Sequence, residues 1–192
     1  MLKAHSPLIS TVAIIKSKEN AWSVHISASL SAFQYALTND DRSLQLDSIS
    51  SDLFQQRVID LLRRKLRVQI TGRENIILED GIVKLGHETE LVFKLSVKEN
   101  NPRSIKIKNE SFLSIADHYC VAKVITPDGG SSNILLEKGN EYSVEVFNSK
   151  NGYTLTNPSI FNWKLILTGV FLLISILLFV IKRSKNLVYI KI

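Results

Sequence analysis

The side chains able to do acid–base or metal chemistry are few and scattered: four histidines, His5, His25, His87 and His118, and one cysteine, Cys120. A single thiol makes neither an intramolecular disulfide nor a paired-cysteine zinc or redox site. His87 stands in Gly86-His87-Glu88-Thr89-Glu90, where an imidazole and two carboxylates come close enough in sequence to serve a metal or a proton transfer. His25 is expected on the wet face of a strand, and Asp117 and His118, being adjacent, would point away from each other. His5 offers the sharpest chemistry. If the chain is cut after Ala4, the new amino group and the imidazole of the same residue would chelate copper or nickel, with a further ligand from His25, His87 or His118. His5 and His87 are therefore the candidate metal ligands. No GxGxxG, GxxxxGK, HExxH or GxSxG pattern occurs, so neither an enzyme nor an organic cofactor is expected.

The elements that would position these groups are mostly strands. Residues 8–15, LISTVAII, are rich in β-branched side chains. Trp22, Val24, Ile26, Ala28 and Leu30 then alternate with Ser23, His25, Ser27 and Ser29, one face core and one face wet, as in an antiparallel sheet. Leu30, Phe33 and Leu37 suit a short helix or turn, and residues 38–51 read as loop. The best helix spans residues 52–66, with Asp52 and Gln55 set as a variant capping box and Phe54, Val58, Leu61 and Leu62 on one face. Arg63, Arg64 and Lys65 crowd its last turn, with Arg67 just beyond. Cations there complement the helix dipole, and as an alternative they form a docking patch.

Further strands are expected at residues 67–70, 75–78, 82–85, 90–97 and 104–108, with Glu79-Asp80-Gly81 as a turn and residues 112–116 as a helical turn. Residues 119–126, 133–137 and 141–147 read as a three-strand meander. The fold class is mainly β (α+β), an antiparallel sheet or sandwich with one packed helix.

The end of the chain has a different character. Residues 165–181, LILTGVFLLISILLFVI, carry no charge, and their only polar side chains are Thr168 and Ser175. As a helix they would measure roughly 25 Å, and residues 160–163 extend the span once Lys164 snorkels toward the headgroups. Trp163 lies where an aromatic belt would be, and Lys182, Arg183 and Lys185 follow with no acidic residue, which predicts a cytoplasmic tail. Trp163, Lys164, Lys182, Arg183 and Lys185 are the expected anchor. Five of the 24 Lys and Arg lie from Lys164 onward with none of the 18 acids, so residues 1–163 carry only about +1 of the formal +6. The basicity belongs mainly to the anchor, which argues against nucleic acid.

The expected organisation is a signal-peptide remnant at 1–4, ending in Leu2-Lys3-Ala4, a mainly β extracytoplasmic domain at 5–148, a linker at 149–160, a transmembrane helix at 161–181 and a basic tail at 182–192. The alternative is a tail-anchored adaptor whose domain stays in the cytosol.

His5-Ser6-Pro7, the Trp22 strand, Leu30-Ser31-Ala32-Phe33-Gln34-Tyr35 and residues 81–89, GIVKLGHET, together resemble an uncharacterised family of exported bacterial domains, chiefly from Bacteroidota. A fainter similarity runs to the extracytoplasmic domain of hydrogenase and urease accessory permeases of the HupE/UreJ type. The resemblance covers about residues 5–150 and brings no catalytic residues. The similarity to the permeases implies an accessory or sensing role beside a transporter. With the uncharged run, its basic flank and the absent motifs, the expectation is a non-enzymatic, single-pass inner-membrane protein with a periplasmic binding or accessory domain and a membrane or periplasmic protein partner. A copper- or nickel-handling accessory protein is the metal-binding variant of that expectation. One span rather than a bundle means that the chain cannot itself form a permease's transport path.

Overall fold

Strands form where the sequence alternates, and in a computed structural model of the protein they assemble into two sheets. The structure describes residues 9–71, 75–127, 133–150 and 152–155, all within one unit, Met1–Asn157. Strand β1 (Ile9–Lys16) turns through residues 17–21 into β2 (Trp22–Ser29), which runs directly into helix α1 (Leu30–Asp40). Helix α2 (Ser51–Lys65) passes without a loop into β3 (Leu66–Ile70). There follow β4 (Leu78–Lys84), β5 (Glu88–Leu95), β6 (Ser104–Asn109), β7 (Tyr119–Ile125), β8 (Asn133–Leu136), β9 (Ser143–Ser149) and β10 (Gly152–Thr154).

One sheet has six strands in the order β4-β5-β2-β1-β7-β8, and the other has four in the order β10-β9-β6-β3. The fold is thus mainly β, as its alternating patterns predict. The larger sheet is mixed rather than antiparallel, because β1 and β7 run parallel with Ser10 opposite Cys120 and Ile14 opposite Val124. The expected meander is also corrected. Strands β7 and β8 form a hairpin, but β9 leaves that sheet and pairs with β6 and β10 in the other. A 3₁₀ turn, Lys138–Asn140, makes the passage, followed by Glu141 and Tyr142 with positive φ, a reversal that redirects the chain.

Two helices, not one, pack on the core. Helix α1 is capped by Ser29, whose Oγ accepts from Ala32 N, and it buries Ala32, Phe33, Ala36 and Leu37. Two of these four are alanines, so the stripe is weak in sequence although it is fully used in the fold. Helix α2 buries the expected Phe54, Val58, Leu61 and Leu62. Its N-cap is Ser50, whose Oγ accepts from Leu53 N, so Asp52 is a first-turn acid rather than the cap.

Residues 79–81, read as a turn, instead form a bulge inside β4. The β4–β5 register shifts between Glu79 and Ile82, and Asp80 has φ 45°. The bulge seats α2. A β-carbon on Gly81 would lie 2.7 Å from Phe93 Cε1 and 3.2 Å from Ile59 Cγ1 of the helix, so only glycine admits this approach. Of the expected strand at 75–78, only a bridge from Asn75 to Gln69 precedes β4. Strands β9 and β10 carry the smaller sheet on into the start of the expected linker.

Inward residues of both sheets and both helices merge into one hydrophobic core, with Val12, Ile14, Phe33, Leu91, Phe93, Ile105, Ile107 and Leu136 fully buried. Among the described residues no helix is long and apolar enough to cross a membrane. The expected span at 161–181 and its anchors Trp163, Lys164, Lys182, Arg183 and Lys185 lie outside the described residues.

Candidate functional site

The last turn of α2 delivers Arg63 and Arg64, but not Lys65, to an open groove of about 530 Å³. Arg63, Arg64, Leu66 and Arg67 line one side and residues 75–80 the other. The chain makes this groove because α2 and β3 are continuous, whereas residues 75 and 76 return along β3 before β4 begins. Ile76 N donates to Val68 O at 2.7 Å. Ile77, next in the chain, has nothing to pack on and is 71 % exposed. An exposed isoleucine beside arginines joins an apolar surface to strong donors.

The cations are not equally free. Arg64 makes a 2.6 Å ion pair with Asp40 at the end of α1, and Lys65 approaches the same carboxylate at 3.7 Å. Arg63 donates Nε to Leu78 O at 3.2 Å and lies 6.0 Å from the Phe93 ring centroid. That arrangement holds the guanidinium in place; its other nitrogens make no hydrogen bond among the described residues, and its charge acts on Asp80. The guanidinium of Arg67 has no hydrogen-bond or ion-pair partner among the described residues. The two acids of the rim turn instead toward β5: Ser96 Oγ donates to Glu79 and Lys94 Nζ to Asp80, each at 2.6 Å. The Lys94 hydrogen bond and charge hold the Asp80 carboxyl below its usual range.

Arg67 and Asn75 also border a smaller hollow of about 130 Å³ with Gln69, Lys106 and Lys108. The antiparallel β3–β6 register sets Arg67 opposite Lys108 and Gln69 opposite Lys106. Lys108 pairs with Glu110 at 2.8 Å, and this hydrogen bond, together with the nearby charges of Arg67 and Lys65, depresses the Glu110 carboxyl. The groove and the hollow meet at Arg67 and Asn75, which line both. The sequence marks the helix-end cations as an alternative docking patch, and only the strand register adds Lys106 and Lys108 to it.

The histidines are not brought together. His5 lies outside the described residues. His87 is an exposed turn residue whose carbonyl accepts from Leu30 N at 3.2 Å. His25 is exposed, as its strand face predicts, with Nε2 3.1 Å from Ser23 Oγ. Partial desolvation lowers its pKa against the opposing pull of Glu90. Among the described residues no group of three or more His, Cys, Asp or Glu could hold a metal ion.

His118 is instead a core residue, 5 % exposed, with its ring centroid 4.9 Å from that of Phe112 and neither ring nitrogen hydrogen-bonded among the described residues. Burial pushes its pKa down to about 4. Cys120 is likewise buried. Asn109 Nδ2 donates to its Sγ at 3.6 Å, and burial raises the thiol against the hydrogen bonds of Ser10 and Asn109. A raised thiol pKa makes Cys120 a packing residue rather than a nucleophile.

No protein-family model matches the chain, and no curated protein matches it in sequence.

Proposed function

We propose that this chain is a single-pass, membrane-anchored binding or accessory module without catalytic activity, and that its β domain meets a membrane or periplasmic protein partner through the groove at the end of α2. The observation that carries the reading is Arg67, a guanidinium with no partner among the described residues, set beside an isoleucine that is 71 % exposed. Cations and apolar side chains left without internal partners in a concave site are the ordinary composition of a recognition surface.

The uncharged run at 165–181 and the basic residues after it support the anchor, with the domain on the periplasmic face of an inner membrane. The fainter similarity to the extracytoplasmic domain of HupE/UreJ-type accessory permeases supports a place beside a transporter.

A photo-crosslinking residue placed at Ile77 in the membrane-embedded protein tests the binding role, with the same residue at Leu53, 41 % exposed on α2, as the control. One discrete adduct from position 77 and none from 53 is the expected result. Equal or absent adducts would overturn the groove as the working surface. Protease added from each side of the membrane tests the orientation, and digestion of the domain from the cytoplasmic side would overturn the periplasmic placement.

A further inference from the structure

We infer that the groove takes an extended, acidic peptide segment of the partner, its carboxylates bound by Arg63 and Arg67 and its apolar side chains resting on Ile77. The inference rests on the proposed binding role and adds the chemistry of what is bound.

Charge complementarity carries it first. The groove's own acids make their hydrogen bonds on the β5 side, Glu79 with Ser96 and Asp80 with Lys94, although the charge of Arg63 also acts on Asp80. Among the described residues Arg63 hydrogen-bonds only through Nε and the Arg67 guanidinium not at all. A guanidinium fork matches a carboxylate in two parallel hydrogen bonds, and Arg63 is pre-set for this by its bond to Leu78 O and its position at the Phe93 ring.

The fold gives the second reason. Arg67 stands opposite Lys108 on adjacent strands, a like-charge pairing that costs stability in a sheet. Glu110 makes its hydrogen bond to Lys108 and reaches Arg67 only as a nearby charge. An arriving carboxylate would give the Arg67 guanidinium the direct hydrogen-bonded partner that Glu110 does not.

The shape of the site favours a peptide. Six consecutive residues, 75–80, line the groove, so a segment of chain can lie along them. Among the described residues no aromatic side chain lines the groove, so they offer no platform on which nucleic-acid bases would stack. The cations stand on the wall of a concavity rather than on a protruding face, which does not suit a flat bilayer surface.

The full chain in detergent micelles can be titrated against a fluorescein-labelled ten-residue peptide of alternating Glu and Val, with its Glu→Gln twin as the neutral control. The acidic peptide is expected to bind saturably and at least about tenfold more tightly than the twin, with affinity falling as salt rises. Arg67→Gln is expected to weaken it about tenfold, while Lys138→Gln, at an exposed site in the turn before β9, leaves it unchanged. Equal affinity for both peptides would overturn the inference, as would Arg67-dependent binding of anionic phospholipid vesicles or of a single-stranded oligonucleotide without peptide binding. The comparison of twins needs no variant and so stands even if Arg67→Gln does not fold. Crosslinking at Ile77 is blind to the ligand's charge: a discrete adduct without acidic preference would leave the binding role intact and remove only the acidic peptide.

Discussion

Arg67 and Lys108 face each other directly across β3 and β6, two cations in one cross-strand pair, and among the described residues only Lys108 of the two has a carboxylate at hydrogen-bond distance. Such a pair opposes folding, so the site's charge and the domain's stability should be in tension. Arg67→Gln is expected to raise stability by about 0.3 kcal/mol, the low end of cross-strand pair energies, while it weakens acidic-peptide binding. Urea unfolding followed through the fluorescence of buried Trp22 measures the first and peptide titration the second. A loss of more than about 1 kcal/mol would show that Arg67 holds the fold rather than the ligand.

Gly81 and Phe93 set the distance between α2 and the larger sheet. Since a β-carbon at position 81 would lie 2.7 Å from a fully buried ring, Gly81→Ala should cost about 1–3 kcal/mol through overpacking. Phe93→Leu in the same chain should recover part of that cost, giving a non-additive double-mutant cycle. Additive losses would locate the strain elsewhere in the bulge.

The cap of α2 separates two neighbouring residues. Ser50→Ala removes the side-chain acceptor for Leu53 N and should cost about 1 kcal/mol. Asp52→Ala loses only a first-turn charge, worth about 0.3 to 1 kcal/mol at low salt and less as salt rises. Urea midpoints at two salt concentrations distinguish them, and a larger, salt-sensitive loss for Asp52→Ala would return the cap to Asp52.

His118 makes a prediction about acid. Its folded pKa, about 4, is below the ordinary 6.5, so between those values the unfolded chain binds the extra proton. Its burial in neutral form is therefore without a pH-dependent cost above about pH 6.5, and stability falls as pH drops from there toward 4. The loss should reach about 2 kcal/mol, somewhat less than the full shift implies because solvent reaches the ring as the site loosens. Asp41, Asp80 and Glu110, whose folded pKa values are depressed, act in a separate window: their contribution is present above the ordinary carboxylate range and is lost below it. His118→Leu should therefore flatten stability between pH 6.5 and 4.5 and leave the steeper acid limb in place. Unfolding curves at pH 7, 5.5 and 4.5 decide it, and an unchanged slope in the variant would assign the proton uptake to another group.

What the sequence determined by itself was local periodicity. The alternation from Trp22 to Ala28, the Phe54-Val58-Leu61-Leu62 stripe and the uncharged run at 165–181 are each written within a few residues of one another, and the first two are present in the structure as β2 and α2. Helix α1 was half legible because Ala32 and Ala36 are small enough to leave its apolar stripe faint until Phe33 and Leu37 find a core to enter. The hydrogen bonds that decide the rest span long sequence separations. The parallel β1–β7 pair joins the start of the domain to residues more than a hundred positions later, β9 passes to the second sheet rather than completing a meander, and Glu79-Asp80-Gly81 bulges because α2 must reach Phe93. The candidate site divides the same way. Arg63, Arg64 and Arg67 are visible as a basic run at a helix end, but a run of cations has no shape. Only the antiparallel register that brings Lys106 and Lys108 beside Arg67 gives the neighbouring hollow its charge, and only the return of residues 75–76 along β3, which leaves Ile77 exposed, gives the helix-end cations a groove.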